Sequence, residues 1–218
     1  MNESSMLRMK WFVDNYVSKL SKDEITILDV GSYDVNGSYK ILFSEESKYQ
    51  YIGLDIEDGP NVDIVLKSPY NWDEITTDIF DVIISGQAFE HIEFFWITMS
   101  EMVRVLNKEG LLCIVVPRGA AEHRYPVDCY RFFADGMIAL ARYTNLEILH
   151  VHTNCAPPDI DKPDVWYNRK YAESMLVARK NYNGSPDFTF LKTYKCVPGN
   201  HKLFRGNMLP SKSRYVPI

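Results

Sequence analysis

Apolar and polar positions alternate along the 218-residue chain in a pattern that predicts short buried strands separated by helices. Mainly apolar runs such as residues 25–30 and 111–116 are typical of parallel strands buried on both faces. Strands are predicted at residues 25–30, 51–55, 62–66, 80–85, 111–116, 146–152 and 172–178. Apolar residues at helical spacing predict helices at 5–20 and 92–106, and shorter helices are expected at 37–43 and 134–143. Gly110 is placed to end the helix at 92–106.

The alternation of strands and helices predicts an α/β protein with a doubly wound, mostly parallel sheet. Residues 1–24 are expected to form a helix that packs on this sheet, and residues 25–180 form the main domain. From residue 181 to 218 the periodicity weakens and prolines recur, which predicts a C-terminal extension. Such an extension could join two copies of the chain in a homodimer.

Composition limits the classes of function. The net charge is −5, and Lys and Arg do not cluster, so nucleic acid and anionic membrane surfaces are not favoured partners. No apolar run approaches the roughly 20 residues that a membrane span needs, and no signal peptide is visible. The cysteines are far apart, which favours a reduced, cytoplasmic setting. They are Cys113, Cys129, Cys155 and Cys196.

The first predicted strand indicates a cofactor site. It is followed by a turn that carries Gly31 and Gly37, and Asp29 stands at its exit. Open α/β sheets bind ligands at the carboxyl ends of their strands. Asp55 ends the next strand, where a carboxylate can accept hydrogen bonds from ribose hydroxyls. This arrangement suits both NAD and S-adenosylmethionine.

The turn itself distinguishes the two cofactors. A dinucleotide site uses Gly-x-Gly-x-x-Gly to bring main-chain N–H groups to a pyrophosphate. Here Tyr33 replaces the middle glycine, and Asp34 would repel a diphosphate. S-adenosylmethionine carries a cationic sulfonium and ammonium, which Asp29 and Asp34 would attract. The alternative of an NAD-dependent oxidoreductase is therefore disfavoured.

Four segments together resemble the successive motifs of class I S-adenosylmethionine-dependent methyltransferases. They are Leu28-Asp-Val-Gly31, Gly53-Leu-Asp55, Phe80-Asp-Val-Ile-Ile-Ser-Gly-Gln-Ala-Phe-Glu-His91 and Met102-Val-Arg-Val-Leu-Asn-Lys-Glu-Gly110. The segment His123-Arg-Tyr-Pro-Val-Asp-Cys-Tyr-Arg-Phe-Phe-Ala-Asp-Gly136 is similar to a type-11-like bacterial subgroup, often linked to surface-glycan modification. The resemblance implies a Rossmann-like sheet of seven strands with the last strand antiparallel and helices on both faces.

The resemblance also implies which residues bind S-adenosylmethionine, and S-adenosylhomocysteine as its product. Asp29, Gly31 and Ser32 would lie beside the methionine end. Asp55 and Ile56 would hold the ribose and flank the adenine, whose pocket Ser68, Pro69 and Tyr70 would complete. Ser85, Gly86 and Gln87 would face the sulfonium.

Two segments supply candidate catalytic and acceptor-binding residues. His91 follows the fourth strand, and His123 follows the fifth, where acceptors often bind in this fold. His123 is the preferred general base, and His91 is the second candidate. Tyr125, Asp128, Tyr130 and Arg131 are the predicted acceptor-binding residues, with Arg131 suited to an anionic or hydroxyl-rich group. No metal site is predicted, and the pair His150 and His152 is interpreted as ordinary strand residues.

The sequence therefore predicts an enzyme that transfers a methyl group from S-adenosylmethionine to a small-molecule or glycan acceptor, at oxygen. The acceptor would be a sugar or sugar-phosphate type of molecule, which links the function to polysaccharide modification. A non-catalytic module that binds S-adenosylmethionine and acts through a partner is the other alternative.

Overall fold

The computed structural model describes residues 3–153 and 172–181. The helices are α1 (Glu3–Asn15), α2 (Phe95–Val105) and α3 (Ala134–Tyr143), and 3-10 turns occur at Val17–Lys19, Tyr39–Phe43 and Phe89–His91. The strands are β1 (Ile25–Val30), β2 (Tyr49–Asp55), β3 (Ile64–Val65), β4 (Phe80–Gly86), β5 (Leu106–Gly119), β6 (Leu146–Thr153) and β7 (Ala172–Lys180).

The strands form one sheet in the order β3-β2-β1-β4-β5-β7-β6. Strand β7 runs antiparallel to both β5 and β6, whereas the pairs among β1 to β5 are parallel. The predicted fold class is thus confirmed. Because the chain moves outward from β1 in one direction and from β4 in the other, a crevice opens between the carboxyl ends of these two strands.

Both faces of the sheet are covered by apolar side chains. On one face, Met9 and Phe12 of α1 pack against alternate residues of the central strands, such as Ile27 and Val82. On the other face, α2 and α3 cover the intervening residues, such as Leu28, Ile83 and Ile114. Burial on both sides explains why the strands have continuous apolar runs.

Several helix boundaries differ from the prediction, since α1 ends at Asn15 and α2 begins at Phe95. Helix α2 ends at Val105, five residues before Gly110, because Leu106 is already extended and pairs with Phe80 at the start of β5. The helix predicted at 37–43 is a 3-10 turn, Tyr39–Phe43, and the third strand is only two residues long. The loop that contains Cys155 and the extension at 181–218 lie almost wholly outside the described residues.

A search of the described helices for a membrane-spanning segment finds none with sufficient length and hydrophobicity.

Candidate active site

A cavity of about 1180 Å³ lies at the carboxyl edge of the sheet, where the strand order reverses. It is lined by residues that follow β1, β2, β4 and β5. Typical small-molecule sites measure about 300–1,000 Å³. The cavity is therefore large enough to hold a cofactor and an acceptor side by side.

The turn after β1 brings the main chain close to the cavity. Gly31 has a φ of +80°, and a Cβ atom at this position would collide with the side chain of Ala88. Only glycine meets both conditions without strain. The side chain of Asp34 does not line the cavity, because its Oδ1 accepts a hydrogen bond from the Gly37 N–H at 2.5 Å within the turn itself. Asp34 thus stabilises the turn, and the expected attraction of a cation rests on Asp29.

Asp29 lies at the wall of this cavity and is 3% exposed. The hydroxyl of Tyr51 donates a hydrogen bond of 2.5 Å to Oδ2, whereas Oδ1 has no hydrogen-bond partner among the described residues. Burial raises the pKa of Asp29 to about 7, although the hydrogen bond from Tyr51 opposes the shift. A cation beside Oδ1 would supply the missing partner and favour the ionised carboxylate.

The carboxylate of Asp55, at the end of β2, is held by main-chain N–H groups. Oδ2 accepts a hydrogen bond from Tyr33 at 3.0 Å, and Oδ1 accepts from Ile56 at 2.7 Å and from Glu57 at 3.3 Å. A carboxylate can accept about four hydrogen bonds. One ribose hydroxyl can therefore bind directly, and a second can replace the long bond from Glu57. The side chain of Ile56 is exposed beside it and lines the cavity.

Only two of the three residues predicted to complete an adenine pocket line the cavity. Pro69 and Tyr70 line the cavity. Ser68 does not, because its hydroxyl accepts a hydrogen bond from the Tyr70 N–H at 3.2 Å and closes a turn. Trp72 and Thr98 also line the cavity and each donates a hydrogen bond to the Pro69 carbonyl. The sequence analysis missed these two residues, since neither stands at a strand end.

The exit of β4 also differs in part from the prediction. The hydroxyl of Ser85 is fully buried and donates to the Val30 carbonyl at 2.7 Å, so it ties β4 to β1 instead of lining the cavity. Gly86 and Gln87 do line it. A Cβ atom on Gly86 would collide with the ring of Tyr39, and Gln87 has a φ of +60°. Two such constraints in succession indicate a functional turn.

His91 lies at the end of the 3-10 turn after β4 and lines the cavity. Its Nδ1 lies 2.5 Å from the Val127 carbonyl. Burial is the main cause that lowers the pKa of His91, so the imidazole is neutral at pH 7.

The neighbouring Glu90 was not singled out from the sequence. Its side chain is completely buried, and neither carboxylate oxygen accepts a hydrogen bond from another residue in the described part of the chain. Burial raises the pKa of Glu90 to about 8. The nearest basic atom, Nε2 of His91, lies 3.7 Å from Oε1. Only the position of Glu90, next to His91 in the segment that follows the predicted fourth strand, could have indicated it.

His123 lies opposite His91. Their ring centroids are 5.0 Å apart and the rings are nearly perpendicular. Nδ1 of His123 lies 3.0 Å from the Ala121 carbonyl, and the side chain is 39% exposed. The two candidate bases therefore stand together on one wall of the cavity.

An ion pair orders the loop that carries His123. Asp128 binds both terminal nitrogens of Arg131, at 2.5 and 2.7 Å, and also accepts a hydrogen bond from the His123 N–H at 2.8 Å. Arg131 is the main cause that holds the pKa of Asp128 far below its usual range. Arg131 also donates to the Ala121 carbonyl at 3.1 Å. The guanidinium of Arg131 thus orders the loop, and its contact with an acceptor stays a prediction.

The two predicted tyrosines have different surroundings. Tyr125 is 62% exposed and lines the cavity mouth. Tyr130 does not line the cavity; its hydroxyl donates to the Glu93 carbonyl at 2.8 Å, and its ring packs against Phe95. Of the four predicted acceptor residues, only Tyr125 is thus a lining residue.

Residues 28–114 match a protein family described as "Methyltransferase domain". This range contains the turn after β1 and the exits of β2 and β4. This part of the chain is therefore similar to a methyltransferase domain. No match was found among curated proteins.

Solved structures share the fold at low sequence identity. The 1,6-didemethyltoxoflavin-N1-methyltransferase of Burkholderia thailandensis, solved with S-adenosylhomocysteine, is 15% identical, with a TM-score of 0.60 over 83% of this chain and 80% of that chain. The carbon methyltransferase CurJ is 14% identical, with a TM-score of 0.60 over 81% of this chain and 54% of that chain. The cyclase SpnF is 17% identical, with a TM-score of 0.57 over 80% of each chain. This likeness supports the fold, and the three names differ in reaction or acceptor atom.

The match to a methyltransferase domain supports S-adenosylmethionine as the cofactor. The residues of the cavity fit it, because the unpartnered oxygen of Asp29 suits a cationic group and the carboxylate of Asp55 suits a ribose hydroxyl. The loop that carries His123 follows the matched range. The matched range therefore contains the predicted cofactor residues, whereas His123 and Arg131 lie beyond it.

Proposed function

We propose that this protein transfers the methyl group of S-adenosylmethionine to an oxygen atom of a small-molecule or glycan acceptor. The acceptor would be a sugar or sugar-phosphate type of molecule, and the setting would be cytoplasmic. One observation supports an oxygen acceptor above others: two imidazoles, His91 and His123, share the cavity wall beyond Gly86. A hydroxyl must lose its proton to become a good nucleophile, and a neutral imidazole can take it.

Each part of the cavity has one role in this proposal. Asp29 and the turn at Gly31 would hold the methionine end of the cofactor, and Asp55 would hold the ribose. When bound, S-adenosylmethionine supplies an electrophilic methyl group. His123 would accept the acceptor proton at Nε2, because Nδ1 faces a carbonyl and carries the hydrogen. Gly86 and Gln87 would bring the main chain close to the reacting atoms. Positioning of the acceptor against the methyl group would then contribute much of the rate of methyl transfer.

The test is a pair of measurements on the purified full chain. Isothermal titration calorimetry should show binding of S-adenosylhomocysteine but not of NADH; the reverse would indicate the oxidoreductase alternative. Incubation with S-adenosylmethionine and a panel of sugars, sugar phosphates and matched amino sugars should then yield S-adenosylhomocysteine and an O-methylated product by mass spectrometry. Methylation confined to the amino groups would contradict the oxygen assignment. Cofactor binding without any product, together with a co-purified protein, would favour the non-catalytic module.

A homodimer formed through residues 181–218 stays a prediction, because this segment lies outside the described residues except for residue 181. Size-exclusion chromatography with light scattering, on the full chain and on a chain that ends at residue 181, would test it.

A further inference from the structure

Three side chains of metal-ligating type meet on one wall of the cavity. They are Glu90, His91 and His123, and one donor atom of each lies within 4.8 Å of the others. Glu90 and His91 follow β4, whereas His123 follows β5. Because β4 and β5 are adjacent and parallel, their carboxyl ends bring these distant residues together.

A cation would stabilise the buried carboxylate of Glu90. The side chain is completely buried, and neither oxygen accepts a hydrogen bond from another described residue. Buried carboxylates in proteins are normally hydrogen-bonded, paired with a cation or bound to a metal. Among the described residues, Nε2 of His91 lies near this carboxylate, at 3.7 Å from Oε1, which is too long for a hydrogen bond.

Both imidazoles are oriented as metal ligands usually are. Nδ1 of His91 faces the Val127 carbonyl at 2.5 Å, and Nδ1 of His123 faces the Ala121 carbonyl at 3.0 Å. A carbonyl oxygen only accepts hydrogen bonds, so each Nδ1 carries the hydrogen and each Nε2 keeps its lone pair. Metal-binding histidines characteristically donate their other ring N–H to a carbonyl or carboxylate in this way.

We propose that Glu90, His91 and His123 bind a divalent transition-metal cation, of which Zn²⁺ is the best fit. Two imidazoles and one carboxylate match a known catalytic zinc ligand set. Ligands bound tetrahedrally at about 2.1 Å lie roughly 3.4 Å apart, so a modest closure from 4.8 Å completes the site. His123 can supply this movement, because it is partly exposed and stands on a loop. The fourth position would face the cavity, which His91 and His123 line.

The use of this open position rests on the proposed function. An acceptor hydroxyl held there would be more acidic and could release its proton to solvent. The oxygen would then form a bond to the methyl carbon as the carbon–sulfur bond breaks and its electron pair returns to sulfur. In this case His123 acts as a ligand and not as the general base.

The binding test uses full-length protein stripped of metal by a chelator and dialysed. Titration with Zn²⁺ should show one site per chain, and Co²⁺ should give the visible absorption of a four-coordinate complex. Glu90→Gln, which preserves shape, and His123→Ala should each weaken Zn²⁺ binding at least 100-fold. His150→Ala is the matched control, because His150 bonds to His152 on β6, away from the cavity. Thermal unfolding checks that each variant folds.

Two results would overturn the inference: Zn²⁺ binding that survives both Glu90→Gln and His123→Ala, or binding that only His150→Ala abolishes. Methyl transfer separates this inference from the proposed function. Transfer at an undiminished rate in chelator, by protein that binds no Zn²⁺, would refute the metal site alone. Zn²⁺ bound through Glu90 without any transfer to oxygen would refute the proposed function alone.

Discussion

The cofactor side of the cavity, residues 25–87, and its acceptor side, residues 88–133, are organised differently. On the cofactor side, functional groups stand directly at strand ends and are held by main-chain hydrogen bonds, as when the Tyr33 N–H binds Asp55. On the acceptor side, they stand on turns and on a long loop, which is ordered above all by the ion pair of Asp128 and Arg131. The first kind of order depends on strand register, whereas the second depends on a few ionic contacts.

This difference predicts which substitutions should affect turnover and cofactor binding separately. Changes on the acceptor side should reduce turnover and leave cofactor affinity intact. Changes on the cofactor side should weaken cofactor binding and leave turnover at saturating cofactor nearly unchanged. The following variants test this separation in order of decreasing effect.

His123→Ala should cause the largest loss. Removal of a general acid–base group typically costs a factor of about 10²–10⁴ in rate, and loss of a metal ligand would be similarly severe. We expect turnover to fall at least 100-fold while the dissociation constant of S-adenosylhomocysteine, measured by calorimetry, changes less than threefold. His150→Ala serves as the control and should keep the wild-type rate. A wild-type rate for His123→Ala would remove this residue from the reaction.

Asp128→Ala should have the next largest effect on turnover, because it would disorder the loop that carries His123 and not because Asp128 takes part in the reaction. The carboxylate is 2% exposed and holds both Arg131 and the His123 N–H. Breaking such a pair by removing one partner costs about 3 kcal/mol of stability when the pair is fully buried. Because Arg131 is partly exposed, we expect the loop to lose roughly 2 kcal/mol of stability, which can lower the population of the ordered loop, and with it turnover, by up to about 30-fold. Asp135→Ala, at an exposed site on α3, is the control. If Asp128→Ala weakened cofactor binding equally, the two sides would not be independent.

The sequence predicts the cofactor side better than the acceptor side for a physical reason. Asp29 and Asp55 are identified by position alone, because a polar residue that ends a buried apolar run must lie at the carboxyl edge. The direction of Ser85 could not be inferred, since β4 is buried on both faces and alternation then carries no information about which face meets the cavity. The ion pair of Asp128 and Arg131 could not be predicted, because nothing in the sequence marks two residues of one loop as partners.

Glu90 shows a further limit of prediction from sequence. Its importance follows from complete burial and from the absence of a hydrogen bond from another described residue, and both depend on how the loop that follows β5 covers it. The main-chain N–H of Cys129 donates to the Glu90 carbonyl at 2.7 Å, which fixes that cover. Contacts between residues so far apart in sequence leave no local pattern.

On the cofactor side, Asp55→Ala should weaken S-adenosylhomocysteine binding at least tenfold. A hydrogen bond to a charged group is worth about 1.5–3 kcal/mol, and tenfold corresponds to about 1.4 kcal/mol. Turnover at saturating cofactor should change little. Asp58→Ala, exposed in the same loop, is the control and should bind normally. Unchanged affinity for Asp55→Ala would show that the ribose is held elsewhere.

The smallest effect concerns the charge that complements the cofactor. Since burial raises the pKa of Asp29 to about 7, the carboxylate is mostly protonated at pH 6 and becomes ionised as the pH rises. Cofactor affinity, measured by calorimetry, should therefore increase roughly sevenfold from pH 6 to pH 7.2. Without cofactor, the folding stability of the protein should change with pH in the opposite direction. The pKa of Asp29 is higher in the folded state than in the unfolded state, so ionisation of this group lowers the free energy of unfolding as the pH rises from about 4 to about 7.

Asp29→Asn should abolish the pH dependence of affinity and flatten the pH profile of urea unfolding. Asp34→Asn should retain both, because the Asp34 carboxylate is bound within its own turn and does not line the cavity. If instead Asp34→Asn abolished the rise in affinity, the turn after β1 would open on binding. The cofactor would then be held by both carboxylates, and the cofactor side would depend on a mobile loop just as the acceptor side does.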